Sequence, residues 1–306
     1  MTLHRLDSIT LGVPDVAAAA RFYEDFGLRR TGKASFATLE GGDQLYLIDS
    51  PIRRLVNATF AVDTIDDLSR AQRALQQLNF TPSIAGDKLS VIEPETRVRI
   101  DLQVRTRLIQ TPYLAPPVNA PGRFDRINAR AAGAASVERV RPRRLGHFVL
   151  GTTDYETSKR FFIDGLGFKV SDILPDGVFL RCSEDHHNVL VQRAPVPFIH
   201  HSSWQVDDVD AVGRGAMDML EDHPERHVWG LGRHYAGSNF FWYLKDPAGN
   251  FAEYHSDMDC IPEDAIWTPE QIHGARGLFR WGPPPPPSFL HPEDLAELMI
   301  GEHSIS

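Results

Sequence analysis

His147, His201 and Glu253 could together hold a metal ion. His147 lies in LGHFVLGTTD, His201 in IHHSSWQVDD and Glu253 in KDPAGNFAEYHS. Two imidazoles and one carboxylate are the donor set of a mononuclear non-haem Fe(II) site. Such a site keeps coordination positions open for substrate and oxygen. The chain has 13 histidines, so the choice of these three must come from the elements that carry them.

Those elements repeat. LDSITLGVPDVAAAARFYEDFGL, from Leu6, parallels LGHFVLGTTDYETSKRFFIDGLGF, from Leu145. Each reads as an alternating strand, an Asp, a helix with two adjacent aromatics and a glycine stop. Asp15 matches Asp154, and Phe22-Tyr23 matches Phe161-Phe162. NATFAVDTIDDLSRAQRAL, from Asn57, parallels HSSWQVDDVDAVGRGAMDML, from His201. Strand-like runs joined by turn residues follow each helix, as in GVFLRCSEDHHNVLVQ and NFFWYLKDPAGNFAEYH. The expected architecture is α+β, with four βαβββ modules paired into two domains. The expected bounds are 1–110 for the first domain, 111–143 for a Pro-, Ala- and Arg-rich linker with a little helix, 144–260 for the second domain and 261–306 for a tail.

Side by side, the halves differ at the three donor positions. Ser8 stands where the second half has His147, and Asn57 where it has His201. Either Ile100 or Asp101 stands opposite Glu253. The scaffold positions occur twice and the complete donor set once, as duplication followed by loss of one metal site would leave them. Successive strand residues face opposite ways, so His200 and His201 cannot both point into a common cup, and the alignment with His147 selects His201. His255, two residues after Glu253, shares its face and is a rival ligand or a supporting group.

Composition narrows the function. A net charge of −9 argues against nucleic acid or an anionic membrane as partner. No apolar run is long enough to span a bilayer, and MTLHRLDSITLGV does not read as a signal peptide. Cys182 and Cys260 are far apart and form no Cys-x-x-Cys pair, which fits a reducing cytoplasm better than a disulfide scaffold.

With those residues in hand, the chain resembles a type I extradiol ring-cleavage dioxygenase of the vicinal oxygen chelate superfamily. It is most similar to the short, two-domain catechol 2,3-dioxygenases. The specific match lies in HHNVLV, HHSSWQV and GLGRHYAGSNFFWYLKDPAGNFAEY, and the two-half plan covers Leu6 to about Ser256. The resemblance implies two vicinal-oxygen-chelate domains, with the metal, Fe(II) or less expectedly Mn(II), in the second half on His147, His201 and Glu253. It implies that His187 is the acid–base histidine on the oxygen side, and His186 is the less expected partner because neighbours on a strand face apart. It gives His234 a hydrogen bond to the ring-oxygen region and sets Tyr243 beside the substrate hydroxyl. The implied reaction inserts O2 into a catechol-type diol to give a 2-hydroxymuconic semialdehyde-type product, as in aromatic hydrocarbon catabolism. Some relatives carry an Asp shortly after the position of His234, where this chain has Tyr235-Ala236-Gly237-Ser238. The hydrogen-bond network there is therefore open.

Two other readings remain. One is a glyoxalase-like isomerase or epoxide-opening transferase on the same scaffold, against which the His187–His234–Tyr243 set argues. The other is a metal-free small-molecule binding protein, against which the complete donor set argues. Phe148, Phe179, Trp204, Phe240 and Trp242 are candidate walls of an aromatic pocket. In the tail, PPPPP at Pro283–Pro287 is stiff and extended, and HPEDLAELM reads as a short helix. Trp267, Phe279, Trp281 and Phe289 are expected to cover the site or to meet another subunit of a homo-oligomer.

Overall fold

A computed structural model describes residues 3–294 and residue 298 of the chain. Of the helix expected over HPEDLAELM, residues 295–297 and 299 lie outside the described residues, and residues 291–294 form a bend and a turn. The first half runs β1 (Leu3–Val13), α1 (Val16–Asp25), β2 (Arg29–Arg30), β3 (Ser35–Ala37), β4 (Asp43–Asp49), β5 (Arg54–Val62), α2 (Ile65–Gln77), β6 (Ser83–Ala85), β7 (Lys88–Ile92) and β8 (Arg99–Val104). The connection carries β9 (Asn119–Ala120), β10 (Arg123–Phe124) and α3 (Ala132–Ala135). The second half runs β11 (Arg144–Thr152), α4 (Tyr155–Arg160) continued by a π turn at Phe161–Gly165, β12 (Lys169–Leu174), β13 (Gly177–Arg181), β14 (Val189–Arg193), β15 (Phe198–Gln205), α5 (Val209–Leu220), β16 (His227–Arg233), β17 (Phe240–Lys245) and β18 (Phe251–Ser256). A last turn of helix, α6, spans Pro287–Leu290. No helix among the described residues is long and apolar enough to cross a membrane.

Both halves form eight-stranded mixed sheets with the same order. The first is β2-β3-β4-β1-β5-β8-β7-β6 and the second is β12-β13-β14-β11-β15-β18-β17-β16. Each contains two βαβββ modules, joined where β1 meets β5 and β11 meets β15 in antiparallel pairs. The side chains that start the helices explain the Asp-rich turns. Asp15 accepts from the Ala18 amide at 2.8 Å, Asp154 from Thr157 at 3.1 Å and Asp208 from Ala211 at 2.8 Å. Thr64 and Asp67 cap α2 reciprocally. Each cap satisfies an amide that the helix itself leaves without a partner.

Register settles the one ambiguous equivalence. His147 pairs with Ser203, and Ser203 with Glu253. In the first half Ser8 pairs with Thr59, and Thr59 with Asp101. Asp101, not Ile100, is therefore the counterpart of Glu253. It is engaged by Arg99 at 2.9 Å and by Lys88 at 3.6 Å. Cationic side chains thus meet that carboxylate, whereas Glu253 meets histidines.

The halves share one apolar core. The Phe60 ring meets Phe168 edge-on at 5.0 Å, and Phe26 stacks on Tyr254 at 3.9 Å. The Tyr254 hydroxyl donates to the Phe26 carbonyl at 2.7 Å. Strand alternation makes this packing serve the site. Ala252 and Tyr254 enter the shared core, while Glu253 between them points into the cup of the second sheet.

Candidate metal centre and active site

The three donor positions lie on the adjacent central strands β11, β15 and β18. Their ligand atoms converge: His147 Nε2 is 3.1 Å from Glu253 Oε2, His201 Nε2 is 3.6 Å from it, and the two Nε2 atoms are 3.4 Å apart. All three residues are buried. A cation about 2.0–2.2 Å from each donor needs neighbouring donors about 3 Å apart or slightly more. The donor set and its spacing therefore fit a divalent metal. Glu253 Oε2 is buried with no hydrogen-bond partner among the described residues, which is costly for an anion unless a cation meets it. Burial pushes the Glu253 carboxyl up, but His147 and His234 outweigh it and hold the group well below the usual carboxylate range. Burial, reinforced by His200, pushes His201 well below its ordinary value. At neutral pH the site thus offers a carboxylate and an uncharged His201 imidazole.

Around the donors lie the groups that could move protons. His187 packs its ring 4.2 Å from that of His147. Burial first, then His147 and His186, push its pKa well below the ordinary value. His187 Nδ1 is 3.0 Å from His186 Nδ1, and His186 Nε2 is 3.0 Å from Asp172 Oδ2. A carboxylate only accepts, so His186 donates from Nε2 and receives the Nδ1 proton of His187. The lone pair of His187 is then on Nε2. On the other side, His234 donates from Nδ1 to the Leu278 carbonyl. Its Nε2 accepts from the Tyr243 hydroxyl at 2.9 Å. Burial and then Glu253 raise Tyr243 well above its ordinary pKa, so the phenol keeps its proton.

Several expectations need correcting. His200 and His201 do not face apart. The pairing of β11 with β15 slips between Val149↔His201 and Leu150↔Ile199, so His200 is the extra residue of a bulge. Both imidazoles turn to the same cavity, with their Nδ1 atoms 2.8 Å apart. Burial lowers His200 to about 4. His186 and His187 lie in the connection before β14 rather than in a strand, so alternation does not separate them either. His255 is not among the converging donors. It sits behind His147, its rings' centroids 5.4 Å away, with Nδ1 2.7 Å from Ser203 Oγ. Asn239, which sequence reasoning passed over, donates to Glu253 Oε1 at 3.2 Å.

The cavity above the donors has a polar floor and an apolar mouth. His147, His201, His187, His234 and Tyr243 line the floor, and Phe179, Leu174, Leu190, Leu278, Phe289 and Leu290 the walls. Of the five expected aromatic walls, only Phe179 reaches it. Phe148 and Trp204 are in the shared core, and Phe240 and Trp242 pack against that core. The tail divides similarly. Phe289 covers the cavity, Trp267 packs on His186, Phe279 packs edge-on to Trp229, and Trp281 is 46% exposed.

Known proteins share both sequence and fold with this chain. The Glyoxalase/Bleomycin resistance protein/Dioxygenase superfamily matches residues 144–254. Metapyrocatechase 2 of Cupriavidus necator is 31% identical over 301 residues, covering 94% of this chain and 92% of its own. An Mn(II)-bound glyoxalase from Novosphingobium aromaticivorans superposes with a TM-score of 0.74 at 23% identity, covering 93% of each chain. An extradiol ring-cleaving dioxygenase from B. fuscum gives 0.75 at 20% identity, over 94% of this chain and 81% of its own.

Proposed function

The chain belongs to the extradiol ring-cleaving dioxygenases of the glyoxalase/bleomycin resistance protein/dioxygenase superfamily, and from that premise we propose that it is a catechol 2,3-dioxygenase that uses Fe(II). The observation that carries this reading is the convergence of His147 Nε2, His201 Nε2 and Glu253 Oε2 beneath a cavity that His187, His234 and Tyr243 also line. Two histidines and a carboxylate with open positions are the donor set of non-haem Fe(II) oxygenases. The bound metal supplies positions that collect the diol and O2 and lowers the pKa of a coordinated hydroxyl.

The chain's own residues then do the following. His147, His201 and Glu253 would hold the metal, and the cavity beside them would receive the reactants. Tyr243 donates to His234, so its oxygen lone pairs are available to a diol proton. A proton received there passes to His234 Nε2. His187 presents a neutral Nε2 and serves as acid and base on the oxygen side. Its Nδ1 proton is shared with His186, and Asp172 supports charge on that pair. Asn239 fixes the Glu253 oxygen that is left for it. The apolar mouth excludes water from the reacting groups. The products balance as one diol plus one O2, both oxygen atoms ending in the ring-opened semialdehyde.

Anaerobic loading with Fe(II), then addition of catechol and O2, tests the reading. A yellow product with one equivalent of O2 consumed is expected. Iron binding without O2 uptake would move the assignment to glyoxalase-like chemistry, and failure to bind any divalent metal would end the enzyme reading. Loading with Mn(II) in parallel distinguishes the two metals. Among the described residues, those lining the cavity include no Lys or Arg. Catechol and alkylcatechols are accordingly expected to show higher kcat/KM than a carboxylated catechol, and the reverse order would refute this account of the walls. A homo-oligomer is also proposed, supported by the exposed apolar side chains of Ile109, Leu114, Phe124, Ile127 and Val137 on the connection between the sheets. Light scattering should give a mass above 34.3 kDa, falling when Ile109, Leu114 and Phe124 are replaced by Ser.

A further inference from the structure

The bulge in β15 gives the C-terminal segment access to the metal centre. His200 Nε2 lies 2.7 Å from the Phe289 carbonyl oxygen, and His200 Nδ1 lies 2.8 Å from His201 Nδ1. A carbonyl can only accept, so His200 carries its proton on Nε2. Neutral His200 then has a lone pair on Nδ1, and His201 must donate to it from its own Nδ1. The lone pair of His201 is left on Nε2, the atom that converges with His147 Nε2 and Glu253 Oε2. By contrast, His147 Nδ1 is buried without a partner among the described residues, so no such contact selects its tautomer.

The carbonyl that starts this chain is held in place. The Phe289 ring meets Trp229 at 4.6 Å, Tyr243 at 4.7 Å and His200 at 4.7 Å. Nearby, the Trp229 indole donates to the Pro283 carbonyl at 2.7 Å. Farther along, Asp294 accepts from Arg53 Nε at 2.5 Å and from Nη2 at 2.9 Å. The same guanidinium donates from Nη1 to the Ile199 carbonyl at 2.6 Å, one residue before His200. Arg53 comes from the first half, and its side chain is 2% exposed. One buried cation therefore fastens the tail and the bulged strand to each other.

We propose that the C-terminal segment is a working part of the metal centre: the Phe289 carbonyl, acting through the positioning residue His200, fixes His201 in its metal-ligating tautomer. This rests on the reading of His201 as a ligand. Groups that hydrogen-bond a ligating histidine orient its ring and raise its basicity, and removing one typically weakens metal binding about 10–100-fold. The first half, which lacks the donor set, then contributes to the centre through Arg53. The departure from strand alternation at His200 gains a physical reason too, since an alternating strand would turn His200 away from its neighbour.

The test is a titration of the full-length, metal-free protein with Mn(II), with free ion counted by electron paramagnetic resonance. His200→Phe keeps the ring volume and removes both contacts, and binding is expected to weaken roughly 10–100-fold. His200→Asn restores an acceptor close to the Nδ1 position and should recover much of that loss, which a purely structural role would not produce. Asp294→Ala releases the tail without touching the site and should weaken binding in the same direction. Long-range 1H–15N spectra of the metal-free parent should show His201 protonated on Nδ1. Undiminished Mn(II) affinity in folded His200→Phe would overturn the proposal. Undiminished affinity in Asp294→Ala would overturn the tail's part in it, and this variant leaves His200 intact if His200→Phe does not fold. His201→Ala separates the two readings. If it binds Mn(II) as the parent does, the ligand assignment itself fails; if it alone loses the metal, only the relay fails.

Discussion

His201→Ala is expected to abolish iron loading and with it ring cleavage, while the protein remains folded. The same result is expected for His147→Ala and Glu253→Ala. Each removes one of three donor atoms that lie 3.1–3.6 Å apart, and two remaining donors cannot hold the ion against water. The loss should exceed the roughly 10–100-fold that follows from removing a hydrogen-bonding neighbour of a ligand. A metal that binds the folded state alone stabilises it by RT ln(1 + [L]/Kd), so Fe(II) is expected to raise the parent's thermal midpoint with the logarithm of its concentration once that exceeds Kd. In the three variants that rise should vanish. Glu253→Gln is the most telling substitution, because it preserves shape and volume and removes only the charge that makes Oε2 a cation donor. Anaerobic metal analysis, thermal scans with and without Fe(II), and O2 uptake check the prediction together. A folded His201→Ala protein with full iron content and full turnover would refute the site.

The second large effect concerns turnover without metal loss. His187→Phe should retain iron and lose turnover by about 10²–10⁴-fold, the usual range for removing a positioned general acid–base group. The ring of His187 lies against His147, but its nitrogen is not among the converging donors. A phenyl group fills the same space and moves no proton. The fall should therefore appear in kcat, with iron content unchanged. Asp172→Asn should act in the same direction and more weakly. It perturbs the acceptor that holds His186 Nε2, and so the orientation in which His186 receives the His187 proton. Normal turnover in iron-loaded His187→Phe would remove the acid–base role from this residue and leave the donor set untouched.

Internal comparison made much of this chain legible. The four strand–Asp/Thr–helix starts are readable because each needs a side-chain cap at a fixed place, and Asp15, Thr64, Asp154 and Asp208 supply it. His147, His201 and Glu253 stand out because their counterparts, Ser8, Asn57 and Asp101, sit on the same scaffold without a donor set. What failed was the assumption of regular alternation. It holds along β18, where Glu253 and Tyr254 face opposite ways. It fails at His200, where one extra residue turns the side chain back toward the cavity, and at His186, which is in no strand at all. A bulge depends on how two strands pair across the sheet, and no local pattern in FIHHSSWQ records that.

The sequence by itself determined the repeated modules and singled out the half that carries the candidate donor set and its three residues, because these follow from local caps, from periodicity and from differences between two copies of one pattern. Only the tertiary structure decided which neighbours surround those residues and the histidines beside them. Asp172 reaches His186 across 14 residues, Phe289 reaches His200 across 89, and Arg53 reaches Asp294 across 241. Such contacts are made by pairing register and by docking of the tail, at distances along the chain where composition and spacing hold no information.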